Sequence, residues 1–144
     1  MFKLEELEDS MSEPEQIAIM HRIDNVLFSH GGLATAFVRW LGADLLDADI
    51  DDVIRAVNAA PYDMLWDEES PLWLRPQDEN YDMFRNDTYT QVVGHTPVET
   101  IFEKDGVIST DVFSTFRDGT QIGESAMIVI DTETGIYEKV EVLK

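Results

Sequence analysis

Two histidines stand in the same kind of place along the chain. His30 follows the apolar run Val26-Leu27-Phe28 and precedes Gly31-Gly32. His95 follows Gln91-Val92-Val93-Gly94 and precedes Thr96-Pro97. Each therefore sits just past a short buried strand, where open α/β sheets collect their ligands. A glycine beside each histidine lets backbone and ligand approach closely. Neutral imidazole is a common ligand of zinc, manganese and iron, so the first chemistry to consider is a shared metal. Taken singly, each histidine reads as well as a structural or surface residue. His21, just before the first strand, reads as surface.

The elements that must position these residues are short. After the glycines, Leu33, Phe37, Trp40 and Leu41 have helical spacing, and Gly42 stops that helix. A second helix has Asp49, Asp51 and Asp52 in its first turn, where the helix dipole favours negative charge. Its apolar face is Ile50, Val53, Ile54 and Val57, with Pro61 just beyond its end. Residues 61–88 mix Trp66, Trp73, Tyr81 and Phe84 with prolines and acids at no steady period, and read as a long surface connection with helical turns. Trp66 and Trp73 read as packing residues beneath it. The C-terminal third is rich in β-branched residues over 98–102, 107–113, 126–130 and 136–142. Turns are expected at Lys104-Asp105-Gly106 and Thr132-Glu133-Thr134-Gly135.

Composition bounds the rest. The 144 residues are 44% hydrophobic and 10% aromatic, a globular composition. They fit a single domain, 1–144, opening on an acidic segment, 1–20, read as a short helix or a frayed terminus. Thirty acidic against ten basic residues give a net charge of -20, which disfavours nucleic acid and anionic membrane as partners. No cysteine is present, which excludes disulfides and thiol nucleophiles. No apolar run approaches the roughly 18 residues of a membrane span. No secretory signal opens the chain, so a cytoplasmic location is expected.

Phe28-Ser29-His30-Gly31-Gly32-Leu33 resembles the Ser-His-(Ala/Gly)-Gly segment of the calcineurin-like metallophosphoesterases, in their serine/threonine protein phosphatase branch. Val93-Gly94-His95-Thr96-Pro97-Val98 resembles that branch's later Gly-His-Thr-Pro segment. Between them, Pro71-Leu72-Trp73-Leu74-Arg75-Pro76 is similar to its Leu-Trp-x-Arg word. Ser109-Thr110-Asp111 falls where the family has an Asp-Thr-Gly turn, although Val112-Phe113 follows instead of Thr-Gly. The resemblance covers about residues 22–142.

The resemblance implies an α/β (α+β) fold: the C-terminal part of a two-sheet sandwich with flanking helices, ending in antiparallel strands. It implies that His30 and His95 bind one ion of a divalent pair (manganese, iron, zinc or magnesium). It gives Arg75 the substrate phosphate, a role that suits a planar, always-charged fork, although Arg75 could instead pair with Asp78 or Glu79. The reaction would be hydrolysis of a phosphate monoester, on a protein or a small molecule, by metal-bound hydroxide. The family's Gly-Asp-x-His-Gly, Gly-Asp-x-x-Asp-Arg-Gly and Gly-Asn-His-(Asp/Glu) words do not occur here. Two imidazoles fall short of the three or more protein ligands usual for a catalytic ion. A fragment inactive alone is therefore expected, completed by self-association or by a missing N-terminal half. The alternatives are a non-catalytic remnant or split-gene partner that binds protein, and an acidic α+β domain with incidental histidines.

Overall fold

The computed structural model describes residues 18–142. The acidic segment therefore lies outside the described residues except for 18–20. A five-stranded sheet is built from β1 (Met20–Ile23), β2 (Val26–Ser29), β3 (Thr90–Val93), β4 (Phe102–Lys104) and β5 (Val107–Ser109). Its order is β1-β2-β3-β5-β4, with β2, β3 and β5 parallel and the two edge strands antiparallel. His21 lies exposed on edge strand β1, opposite Phe28.

Parallel neighbours cannot be joined by a tight turn, so the β2–β3 connection must cross over. It carries α1 (Thr35–Leu41), a 3-10 turn (Ala43–Asp47), α2 (Ile50–Asn58) and the short α3 (Tyr62–Leu65). Gly42 follows α1, as its position predicts. Along α2, Ile50, Val53 and Val57 fall on one buried face. They pack with Leu27, Phe37, Val38 and Phe84. Asn58, at the end of α2, ties the helix to the sheet: its side chain accepts from Met20 N and donates to Met20 O.

Successive strand residues face opposite sides of a sheet. Val93 and Val107 pack with Ala34, Leu74 and Met83 on one side. Val92 and Ile108 pack with Ile101, Val112 and Ala126 on the other. There the sheet meets the antiparallel hairpin of β6 (Ala126–Ile130) and β7 (Tyr137–Glu141). Burial of Ile108 and Ala126 holds that hairpin, since a two-stranded ribbon is marginal alone.

The fold is α/β, with a mixed sheet, a second small sheet and helices. Three expectations change. Residues 61–88 are more than a surface connection, because Ser70, Leu74, Met83 and Phe84 are fully buried. Residues 98–102 form no continuous strand; only Phe102 joins the sheet. The strand expected over 107–113 ends at Ser109, because Asp111 folds the chain onto Ser114 through both carboxylate oxygens. The turn at Asp105-Gly106 is as expected, with φ of 53° and 79° in the left-handed region that hairpin turns demand.

Candidate functional site

The C-terminal ends of the parallel strands bring the two histidines together. Gly94 N donates to His30 O at 2.9 Å, which carries the β2–β3 pairing one residue past the strands. His95 Nδ1 then lies 2.8 Å from His30 Nε2, with the rings edge-on at 61°. His30 is exposed and His95 half-buried.

Three contacts fix the loop that carries His30. Gly32 N donates to Ser29 Oγ. Gly31 N donates to Pro71 O at 2.6 Å, and a Cβ on Gly31 would come within 2.9 Å of Leu74 O. Only glycine permits that approach, and it seats the 71–74 segment against the histidine loop. The third contact is Gln91, fully buried on β3, whose amide donates to Leu33 O and accepts from Leu33 N.

The 71–74 segment in turn delivers aromatics. Trp73 lies edge-on to His95, with centroids 5.7 Å apart, and Trp66 packs on Trp73 at 5.6 Å. Trp66, Trp73 and Tyr81 wall a cleft of about 500 Å³. Arg75, Glu68, Asp78 and Glu79 supply its charges. Arg75 is exposed and makes no ion pair among the described residues, with Asp78 and Glu79 included.

Burial holds the His95 imidazole below its ordinary value of 6.5, and His30 and Arg75 push it the same way against Asp111. His95 is thus a neutral ring at neutral pH. If His30 Nε2 carries the shared proton, His95 Nε2–H is a free donor; the other tautomer leaves a free lone pair there. Among the described residues that atom is buried without a partner, as are Thr96 Oγ1 and Gln77 Oε1. Gln77 Nε2 meanwhile donates to Ser109 Oγ at the end of β5. Buried polar atoms rarely stay unpaired, so three near these strand ends mark a place where a polar group belongs.

A stability slope follows from His95. Its folded pKa lies below its unfolded one, so the unfolded chain binds more protons below pH 6.5. This contribution to stability is complete above 6.5, is lost as pH falls towards the folded value, and levels off beneath it. Urea unfolding of the wild type and His95→Gln between about pH 8 and pH 5 should show the extra acid loss in the wild type alone. Parallel curves for the two proteins would refute it.

No protein-family model matches the chain, and no curated protein matches it. Solved structures do. A cold-active protein-tyrosine phosphatase of a psychrophilic Shewanella species matches with a TM-score of 0.52 at 19% identity. A point mutant of a cold-active protein tyrosine phosphatase matches with a TM-score of 0.51 at 18% identity. The chain shares their fold. Each match covers 88% of this chain but 44% of the phosphatase, so the chain spans less than half their length.

These findings overturn the family read from the sequence words. The structures that share the fold are tyrosine phosphatases by name, and neither the metallophosphoesterase sandwich nor its serine/threonine branch is supported. A metal-dependent phosphoesterase is withdrawn with it, and so is the divalent cofactor. Among the described residues, no group of three or more His, Asp or Glu could hold an ion. The His30–His95 contact takes up one nitrogen of each ring, and in either tautomer a single free lone pair is left between the two rings.

Sequence reasoning missed Gln91 and took Trp73 for simple packing. A polar residue heading the buried run Gln91-Val92-Val93 was the available signal for the first. Nothing in the sequence pointed to the contact of Trp73 with His95. No helix among the described residues is long and apolar enough to cross a membrane.

Proposed function

We propose that the chain binds a phosphorylated substrate, with the phosphoryl group between Arg75 and the His30–His95 pair and an aryl group against Trp73. One observation carries the reading: a guanidinium with no ion pair among the described residues lines an aromatic cleft, and Trp73 of that cleft lies against His95. Arg presents a fork of donors matched to phosphate oxygens. His95 Nε2–H, in the donor tautomer, adds a neutral donor that leaves the anion's charge intact. The names of the phosphatases sharing the fold support a phosphorylated ligand and favour an aryl one. A cytoplasmic setting suits the reading.

Hydrolysis is the activity that the shared fold suggests. With no cysteine among the 144 residues, no thiolate can attack phosphorus. For that step the reading assigns proton transfer to His95, which lies against Trp73 of the cleft wall.

Trp66 and Trp73 report on the cleft directly. Phosphotyrosine and phenyl phosphate should quench tryptophan emission saturably, phosphoserine should do so more weakly, and tyrosine or phenol should have no effect. Equal binding of tyrosine and phosphotyrosine would sink the proposal. Phosphate release in the same mixtures tests the hydrolytic step.

A further inference from the structure

A bare aryl phosphate fits the cleft's shape better than its charge. Arg75 faces three carboxylates in the lining, those of Glu68, Asp78 and Glu79. All three are exposed, and none forms an ion pair among the described residues. The chain around them carries a net charge of -20. A dianion entering alone would therefore meet repulsion from the carboxylates as well as attraction by Arg75. The ligand that fits best brings positive charge along with its phosphate.

The walls provide for that charge. Trp66 is 57% exposed and Trp73 39% exposed, and both line the cleft. Indole faces attract ammonium and guanidinium groups within about 6 Å of the ring centre. Glu79 stands close to the Tyr81 hydroxyl, where burial first and this carboxylate second hold the phenol above its ordinary value. Tyr81 thus stays a neutral ring, and the negative charge at this end of the cleft belongs to the carboxylates. Together, aromatic faces and carboxylates surround a cation more completely than either does alone.

Resting on the phosphate reading above, we infer that the ligand is a basic peptide segment: its phosphorylated residue reaches Arg75 and the histidine pair, and neighbouring lysine or arginine side chains lie between Trp66–Trp73 and the Glu68, Asp78 and Glu79 carboxylates. Arg75 is then the specificity element for phosphate in a cleft otherwise built for cations. Acidic and neutral phosphopeptides are poorer ligands, and added salt weakens the preferred ones most.

The test uses tryptophan quenching at low salt with phosphotyrosine peptides flanked by two lysines, two alanines or two glutamates. The lysine peptide is expected to bind about tenfold more tightly than the alanine peptide, and the glutamate peptide more weakly than either. A cleft triple variant, Glu68→Gln with Asp78→Asn and Glu79→Gln, should erase the lysine advantage. A control triple variant, Glu103→Gln with Glu138→Gln and Glu141→Gln, removes as much charge from exposed positions on β4 and β7 and should keep it. Equal affinity for the lysine and alanine peptides overturns the inference. So does equal loss of the advantage in both triple variants, which would mean diffuse attraction by the whole surface. The unphosphorylated lysine peptide separates the two readings: if it binds as tightly as its phosphorylated form, the phosphate role of Arg75 falls and the preference for cations stands.

Discussion

Gln91→Leu is expected to cost about 2–6 kcal/mol of stability, from two buried backbone groups at about 1–3 kcal/mol each. Gln91 and Leu33 are both fully buried. The amide of Gln91 meets Leu33 N at 2.7 Å and Leu33 O at 2.9 Å. Leucine keeps the volume and removes both partners, so neither group can turn to water. Against a usual total of about 5–15 kcal/mol, such a loss removes a large share of the stability. Gln91→Glu retains the acceptor for Leu33 N but sets a carboxylate against Leu33 O, and should also destabilise. Urea midpoints of the three proteins measure this. A loss below about 1 kcal/mol for Gln91→Leu would mean that the Leu33 loop relaxes at little cost, and that Gln91 does not clamp it.

The same residue shows where the sequence was legible. Val26-Leu27-Phe28 and Gln91-Val92-Val93 announced themselves as strands because burial on both faces demands continuous apolar runs. Their parallel pairing at Val26↔Thr90 and Phe28↔Val92 was only implied, by the helices lying between them. The α2 face and the Asp105-Gly106 turn were legible from period and backbone preference alone. The connection over 61–88 was not, because Leu74, Met83 and Phe84 are buried one at a time from irregular backbone and leave no period to read.

The histidine words mislead for a related reason. His-Gly-Gly and Gly-His-Thr-Pro read as metal words, yet Gly31 is required by its approach to Pro71 and Leu74, a backbone demand independent of any ion. Placing His30 beside His95 follows from strand register; deciding what the pair holds needs the orientation of two rings, which no spacing encodes. Trp73 and Arg75 sit two residues apart in the sequence and line one cleft, but their convergence on His95 depends on the Gly31–Pro71 bond between distant segments.

Arg75→Ala is expected to weaken binding of phosphotyrosine by about 10- to 100-fold, the loss of a charge-assisted pair of hydrogen bonds at about 1.5–3 kcal/mol. Tyrosine should bind no differently to the variant. Arg75→Lys restores the charge without the fork, and should recover part of the affinity. The thermal midpoint should hardly move in either variant, because Arg75 is exposed and unpaired among the described residues. A second readout links this residue to the histidines. Arg75 is one of the groups that hold His95 below its ordinary value, so Arg75→Ala should raise the pH at which His95 takes up its proton. Histidine proton resonances followed through a pH titration would register that shift, whereas Arg75→Lys, keeping the charge, should leave most of it undone. Unchanged phosphotyrosine affinity in Arg75→Ala, with the His95 titration displaced as expected, would place the guanidinium near the histidine but away from the phosphate. Loss of affinity together with the displaced titration would tie both groups to one bound anion.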